Sequence, residues 1–459
     1  MQSGERAVTM PLTGRKQRRH WGGLIPILLL SACTSVADVE PPVVVLVERA
    51  ESGSLTHTLE ITLERPAPLA VRYSTDGAPD LRVSSAEAQI HVVPLTRLRP
   101  GRAYQYEIEG TAHRGTFQTE DLPADLAEIG FAAEGVPTVP LVFLHLFQLD
   151  GFQGYAIVDA SGEVVWYWRT EDFPFGMTRR ENGNFVFMDK ARGLVEVTAT
   201  GTVVHELPQD TIQREQHHDV IATSANSILF LAFDTRQVAD ARIKGEGIWE
   251  WWPETGATVK RWTSWDHFSV TDDRGPRFGT EWMHANALSE GPRGNVLVSI
   301  HYWNQIISLT PDWQEIEWRL GGVNATIAVP PGEQFSGQHT ARELSPGRVL
   351  LFDNGLEGGE LSRAVEFELE GDRAEKRWEW KATPLNFASA VGSARRMPNG
   401  NTLVGFGMSA GLVGSTGPTE VFEVTSSGDA VWHLVVSNVW VMFRAEPLWS
   451  IAAEEVVGR

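Results

Sequence analysis

The stretch Pro398-Asn399-Gly400-Asn401-Thr402-Leu403-Val404 joins a tight turn to a short apolar strand, and the chain repeats this combination. It recurs as Glu181-Asn182-Gly183-Asn184-Phe185-Val186-Phe187 and as Arg293-Gly294-Asn295-Val296-Leu297-Val298. A second element, glycine followed four residues later by tryptophan, stands at Gly162 to Trp166 and at Gly428 to Trp432. Asn-Gly pairs favour turns, and apolar β-branched runs favour strands. Repeats of about 45–60 residues with four short strands each are typical of a β-propeller.

The number of repeats predicts an all-β fold, a six-bladed β-propeller over residues 137–455. Leu141 to Trp168 supplies outer strands without an inner strand, and the last inner strand lacks outer strands of its own. Joining the two ends closes the ring and removes open sheet edges. Two insertions, Val238–Gly247 and Val323–Gln334, are expected to be loops over one face. Inner strands are expected to begin near Met177, His218, Met283, His339, Ala394 and Phe443.

Residues 43–125 precede this repeat and contain several short segments of strand type. The sequence Leu98-Arg99-Pro100-Gly101-Arg102-Ala103-Tyr104 resembles the corner of fibronectin type III domains, where a tyrosine hydroxyl ties back to a turn. The region is therefore predicted to be a small fibronectin type III-like β-sandwich that serves as a spacer or docking domain.

The N-terminus has the features of an export signal. A basic segment at 15–20 precedes the apolar run Leu24–Leu30, which is too short for a permanent membrane span. Leu30-Ser31-Ala32-Cys33 then resembles a bacterial lipobox. We expect residues 1–32 to be a lipoprotein signal peptide, Cys33 to be lipidated, and 33–42 to be a tether. The mature protein would then be anchored in the bacterial cell envelope, on the periplasmic or outer surface.

Charge and cysteine content exclude some functions. The chain carries a net charge of −20, and loss of 1–32 removes five Lys/Arg and one Glu, leaving about −24. Nucleic-acid binding needs clustered cations, so nucleic acid is not expected as a partner. The single cysteine excludes an intramolecular disulfide and a cysteine-based metal cluster.

Several histidines fall at or near the proposed inner-strand starts: His217/His218, His284, His339 and, one strand later, His301. Inner strands line the channel of a propeller, so these side chains are expected to converge. Neighbouring strand residues point oppositely, so only one of His217 and His218 faces the channel, and His218 is preferred. Three histidines can also bind zinc, although no acidic partner motif accompanies them.

The motif Phe335-Ser336-Gly337-Gln338-His339-Thr340-Ala341-Arg342 resembles the arylsulfate sulfotransferase family, as does Trp282-Met283-His284-Ala285-Asn286. The resemblance covers roughly residues 140–450. It implies that His339 takes up the sulfuryl group covalently, and that His284, Asn286 and His218 contact this group and assist proton transfer. Substrates would be an aryl sulfate and a phenolic acceptor, with neither a nucleotide donor nor a cofactor. Neutral imidazole suits the nucleophile because its lone pair is free near neutral pH.

One segment departs from the family pattern. The strand after His-x-Asn carries a Ser-Arg-His motif in the family, whereas this chain has Val298-Ser299-Ile300-His301. His301, Arg342 and Arg395 are the candidates to replace the missing sulfate-binding cation. Because of this loss, a non-catalytic, lipid-anchored binding or assembly module is the alternative function. A quinone-cofactor dehydrogenase is a third, since glycine-to-tryptophan endings also occur in those propellers, but neither a full repeat set nor a calcium-ligand pattern is present.

Overall fold

The structure, a computed structural model, describes residues 42–47, 55–270, 280–359, 361–452 and 455–457. The predicted signal peptide, Cys33 and nearly all of the tether lie outside this part of the chain. Within it, no helix has the length and apolar character needed to cross a membrane.

The N-terminal region forms an antiparallel sheet with two long strands. The register between the long strands shifts between Thr62 and Ala67, which divides each into two segments. Tyr104 accepts a hydrogen bond from the Arg99 backbone N–H at 2.8 Å, the contact that the turn motif predicted. The strands share one hydrogen-bonded sheet, so a two-layer sandwich over 43–125 is not confirmed. They are β1 (Val43–Val47), β2 (His57–Ser74), β3 (Leu81–Leu95), β4 (Ala103–Ile108) and β5 (Arg114–Gln118).

Strands are the main regular element in the rest of the described chain. The helical elements are α1 (Ala124–Ala127) and the 3₁₀ turns Ser264–Asp266 and Leu412–Gly414. In chain order the strands are β6 (Gly130–Gly135), β7 (Leu141–Phe147), β8 (Gln153–Asp159), β9 (Val164–Arg169), β10 (Pro174–Arg179), β11 (Phe185–Asp189), β12 (Gly193–Val197), β13 (Val203–Pro208), β14 (Gln216–Ala222), β15 (Ile228–Val238), β16 (Ala241–Trp252), β17 (Ala257–Thr263), β18 (Ala285–Glu290), β19 (Val296–Ile300), β20 (Gln305–Leu309), β21 (Ile316–Leu320), β22 (His339–Ser345), β23 (Arg348–Asp353), β24 (Arg363–Glu370), β25 (Arg373–Trp380), β26 (Ser393–Arg396), β27 (Thr402–Phe406), β28 (Thr419–Val424), β29 (Ala430–Ser437), β30 (Val441–Leu448) and β31 (Glu455–Val457).

These strands form a series of antiparallel sheets, each built around four strands. Four sheets are continuous in sequence: β10 to β13, β14 to β17, β18 to β21, and β22 to β25. A fifth runs β26-β27-β28-β29-β6, and the sixth joins both ends of the repeat region as β30-β7-β8-β9. The first strands β10, β14, β18, β22, β26 and β30 contact one another in that order, and β30 also contacts β10. These six first strands therefore form a closed series of neighbours.

Three features differ from the sequence-based boundaries. Residues 238–247 extend the β15–β16 hairpin, in which Val238 pairs with Ala241, instead of forming an irregular loop. Strand β6 lies before residue 137 yet pairs with β29. Strand β31, at the C-terminus, pairs with β3 of the N-terminal sheet. The pairings of β6 with β29 and of β31 with β3 join segments that are distant in sequence, so they leave no local signal in the turn-and-strand repeat.

The N-terminal sheet shares a hydrophobic core with the fifth and sixth sheets. Leu59, Tyr104, Val142, Leu144 and Val436 belong to one buried cluster, so side chains from both regions exclude water together. An ion pair between Arg99 and Asp159, 2.7 Å apart, adds a contact at the same junction. The first sheet is therefore fixed against the sheet series.

Candidate active site

Four histidines from neighbouring sheets stand in a row near the strand starts. The ring centroids of His218 and His284 are 4.5 Å apart, and those of His284 and His301 are 5.2 Å apart. The row continues to His339, whose ring lies 5.3 Å from His301. The structure therefore brings together all four histidines that the sequence singled out.

His217 and His218 differ in their ring contacts. His217 stacks on Phe233 at 3.9 Å, pointing away from the row. His218 instead contacts His284, and the two adjacent rings touch only through their Nδ1 atoms, 2.9 Å apart. Burial and the neighbouring His284 lower the pKa of His218 well below its usual value, so His218 is neutral at physiological pH.

His339 is held in one tautomer by Asn354. The two amide hydrogens of Asn354 go to the carbonyls of Ala388 and Val391, at 2.8 and 2.9 Å. Its Oδ1 must therefore accept the hydrogen bond at 2.8 Å from His339, so Nδ1 carries the proton. The Nε2 lone pair of His339 is left available. Sequence reasoning included Asn354 only in a turn signal, yet it follows β23, which pairs with β22 at His339 and Phe352.

Burial controls the charge of His339. Its side chain is enclosed, and this desolvation lowers its pKa to about 3, outweighing the hydrogen bond that His339 donates to Asn354, which favours the charged form. Neighbouring positive groups, Arg444 and His284, act in the same direction as burial. An imidazole in this setting stays neutral and nucleophilic at any physiological pH.

His284 has a carboxylate partner that sequence reasoning missed. Glu281 accepts a hydrogen bond from the Nδ1 of His284 at 2.7 Å and a second from the Tyr302 hydroxyl at 3.2 Å. The hydrogen bond to His284 is the largest cause that lowers the pKa of Glu281 to about 2. The available signal was the spacing of three between Glu281 and His284.

The backbone is strained where the histidines are presented. His218, His284 and Thr340 have φ values of 54°, 56° and 52°, in the left-handed region. A β-branched residue such as Thr340 rarely adopts this conformation, which costs on the order of 1–3 kcal/mol. The ladder of each inner strand is irregular at the same place. The strain turns these side chains out of simple strand alternation, which is why alternation alone did not fix their directions.

Asn286 contacts the residue that precedes His339. It is fully buried, and its Nδ2 donates to the Gln338 carbonyl at 2.7 Å, while its Oδ1 has no hydrogen-bond partner in the described chain. Gln338 in turn donates to the carbonyls of Ile300 and Gln305. The amide of Asn286 thus orients the residue next to His339.

The candidate cations differ in their partners. Arg395 forms a bidentate ion pair with Glu446 and is therefore occupied. Arg342 makes no hydrogen bond or ion pair with the described residues, and burial lowers its pKa to about 10. Arg444, which the sequence interpretation missed, pairs with Asp219 at 2.5 Å and donates to the Asn286 carbonyl at 2.8 Å. Ile300, between Ser299 and His301, is fully buried and brings no charge.

Aromatic side chains form a wall on the His218 side of the row. Phe175 lies 5.0 Å from His218, and Phe173 lies 5.1 Å from Phe175. Both are half-buried, and both rings contact Phe443 at 5.8 Å. The tryptophans flanking the motifs, Trp282 and Trp303, are instead buried against each other in the core. Phe173 and Phe175 are thus the accessible aromatic surface near the histidines.

A separate cavity is lined by residues close in sequence to His339 and His301. It has a volume of about 560 Å³ and is lined by residues that include Phe335, Ser336, Asp353 and Arg363. None of the four histidines lines it, so the chemistry is assigned to the histidine row and not to this cavity. In the described part of the chain, no group of three or more His, Cys, Asp or Glu side chains is arranged to hold a metal ion.

The buried neutral histidines make stability depend on pH. The pKa values of His145 and His339 are lowered to about 3 by burial, against 6.5 in an unfolded chain. The unfolded state therefore binds more protons between pH 3 and 6.5, and stability falls as pH falls through this window. Between pH 7.5 and 5.5 we expect the two histidines together to remove about 3 kcal/mol from the free energy of unfolding.

Urea unfolding at the two pH values measures this loss. The pKa values of Glu281 and Glu446 are lowered from 4.5 to about 2 in the folded protein. The stability that these carboxylates contribute is therefore lost only below about pH 4.5, outside the range of this measurement. An unfolding free energy that is equal at pH 7.5 and 5.5 contradicts the prediction.

A family model for arylsulfotransferase (ASST) matches residues 137–438, which is most of the chain and includes all four histidines. The chain belongs to the arylsulfotransferase family. No curated protein matches it. Among solved structures, a protein of unknown function from Bacteroides caccae is 13% identical with a TM-score of 0.47, covering 68% of this chain and 100% of its own. A virginiamycin B lyase from Staphylococcus aureus is 11% identical with a TM-score of 0.34, covering 83% of this chain and 99% of its own.

Proposed function

We propose that this protein moves a sulfuryl group from an aryl sulfate to a phenolic acceptor, with His339 as the covalent carrier. The observation that carries the proposal is the hydrogen bond from His339 to Asn354, which leaves the Nε2 of a neutral ring with its lone pair, 5.3 Å from the ring of His301. Family membership supports the same reaction class. No nucleotide donor and no cofactor take part in it.

The proposed reaction has two halves. In the first, the Nε2 of His339 attacks sulfur, the S–O bond breaks, and the phenolate oxygen takes a proton from His284. In the second, His284 accepts the proton of the incoming phenol as its oxygen attacks sulfur, and the N–S bond electrons return to His339. His301 lies between these two rings and His218 lies on the other side of His284, and both complete the polar surface around the sulfuryl oxygens. Positioning and fixed charge account for most of the rate in such transfers.

The missing family arginine is replaced, in this proposal, by the cations of neighbouring inner strands. Arg444 is close enough to His339 to lower the pKa of that residue, although burial is the larger cause. Arg342 is the cation without a protein partner among the described residues, whereas Arg395 is neutralised by Glu446. Arg342 therefore supplies most of the positive field, while Arg444, which is itself paired with Asp219, adds only its weaker effect on His339. Phe173 and Phe175 supply the face for the aryl ring.

We propose that the sheets form the six blades of a propeller, with β30 and β7 closing the ring. The ring of first-strand contacts supports this arrangement. The N-terminal sheet, with the Tyr104 corner, then serves as the fibronectin type III-like spacer between the envelope and the catalytic region.

Incubation with the donor alone tests the transferase. The purified protein is mixed with a chromogenic aryl sulfate without acceptor, and we expect one equivalent of phenolate to be released in a burst. Peptide mass spectrometry should then find the sulfuryl group on His339, and addition of phenol should restore turnover. If no donor gives a burst from folded protein, the binding module becomes the better assignment. The observation favouring that alternative is the buried Ile300 in place of the family arginine.

Lipid anchoring is a separate proposal, based on the signal and lipobox at 1–33. A Cys33→Ser variant expressed in a bacterial host is expected to move from the detergent-soluble membrane fraction to the aqueous fraction. A serine hydroxyl cannot form the thioether link to the lipid, and stable membrane attachment needs the acyl chains. Ser31→Ala, which leaves the cysteine, is the matched control. Retention of Cys33→Ser in the membrane contradicts the proposal.

A further inference from the structure

Glu281 stands outside the residues that the family resemblance assigns, yet it contacts one of them directly. Its carboxylate binds the Nδ1 of His284 at 2.7 Å, and the Tyr302 hydroxyl fixes the same oxygen at 3.2 Å. The Tyr302 ring also stacks on the His284 imidazole, with centroids 4.6 Å apart and planes inclined by 24°. His284 is therefore held by Glu281 at Nδ1 and by the Tyr302 ring along one face.

The hydrogen bond to Glu281 decides which nitrogen of His284 can exchange a proton with the substrate. An ionised carboxylate can only accept, so Nδ1 of His284 must carry the hydrogen, and the second nitrogen, Nε2, is the one left for proton exchange. His284 keeps 23% of its side chain exposed, so this ring is not sealed from solvent or substrate. The arrangement is that of an imidazole whose orientation and charge are set by a carboxylate behind it.

We propose that Glu281 is a positioning residue that, through His284, makes the proton available to leaving phenolates. The inference rests on the proposed sulfuryl transfer. In the donor half-reaction the S–O bond breaks toward the phenolate oxygen, which takes the Nε2 proton of His284, while Glu281 stabilises the imidazolium before transfer. In the acceptor half-reaction the phenol proton returns to the same nitrogen.

The other charged and titratable groups around His284 do not offer this function. His218 contacts the Nδ1 of His217, and Arg444 is a cation that opposes protonation nearby. Glu246 lies at Nε2 of His217, 3.0 Å away, and accepts from the Ala285 backbone N–H, and Lys244 pairs with Glu215. These other groups are His217, His218, Asp219, His301, His339, Arg444, Glu246 and Lys244.

Leaving-group dependence distinguishes this role from a structural one. A phenolate of an ordinary phenol, with a pKa near about 10, needs the proton, whereas a dinitrophenolate leaves without it. In Glu281→Gln we expect kcat/KM with phenyl sulfate to fall about a hundredfold, and with dinitrophenyl sulfate less than about threefold. The alkaline limb of the phenyl sulfate rate profile should also move to lower pH, because an amide does not stabilise the imidazolium.

The controls separate the different failures. Glu215→Gln removes a nearby carboxylate whose partner is Lys244 and should leave both donors unchanged. Glu281→Asp, which keeps the charge, should recover part of the phenyl sulfate activity. Equal loss with both donors would overturn the role of Glu281 while leaving the transferase intact. Inactivity of the wild-type protein with both donors would overturn the proposed function, and with it the role of Glu281. Thermal unfolding of each variant confirms that it is folded.

Discussion

His339→Ala will abolish acceptor-dependent release of phenolate from an aryl sulfate, by at least about four orders of magnitude in kcat. The variant lacks the Nε2 lone pair that bonds to sulfur, and the other histidines are held in place by partners of their own, His284 by Glu281 and His218 by His217. Rates with a chromogenic donor and excess phenol measure the effect. The burst with donor alone should vanish together with turnover.

The fold of His339→Ala must be verified separately. Removing the ring leaves the Asn354 Oδ1 buried without a donor, which costs about 1–3 kcal/mol, so the variant should be less stable but still folded. His113→Ala is a matched control, since His113 lies beside Tyr106 in the N-terminal region, at a ring distance of 6.1 Å, and should turn over like the wild type. Activity retained by a folded His339→Ala would assign the nucleophile to another histidine of the row.

Arg444→Met is expected to destabilise the protein by about 3–5 kcal/mol. Arg444 and Asp219 are both only 2% exposed, and they connect the inner strands β30 and β14. Methionine fills the volume but leaves the Asp219 carboxylate buried with only its backbone donors, the N–H groups of Val220 and Leu288. Urea unfolding at pH 7.5 measures the loss.

Two comparisons show whether the burial of the Arg444–Asp219 ion pair causes the loss of stability. Adding Asp219→Asn to Arg444→Met neutralises the orphaned charge and should restore more than half of the lost stability. Arg377→Met removes three ion pairs, with Glu368, Glu370 and Glu375, but Arg377 is at the surface, where water screens such pairs, and we expect no resolvable change in unfolding. Equal losses for Arg377→Met and Arg444→Met would show that burial is not the deciding factor.

Sequence reasoning identified the residues that are specified by local patterns. Turns with a Gly-Asn pair next to short apolar runs indicated strands, and β11, β19 and β27 follow such turns. The histidine-bearing motifs were distinct enough to name the family, which the family model confirms over residues 137–438. His218, which was preferred to His217, lies against His284 in the structure, whereas His217 stacks on Phe233.

The site residues that sequence reasoning missed make their contacts with residues on other strands. Asn354 meets His339 only because β22 and β23 pair in one register, and Arg444 meets Asp219 across 225 positions. Phe173 and Phe175 reach His218 through contact between β10 and β14. None of these contacts changes the local pattern of the sequence.

By itself, then, the sequence determined the strand-forming repeats, the histidine motifs and the family, since these depend on turn chemistry and residue spacing within a few positions. Only the tertiary structure decided the tautomer of His339, the carboxylate behind His284 and which arginines are already paired. Those properties depend on distances below about 3 Å and on exclusion of water. Packing of separate sheets around one axis creates both.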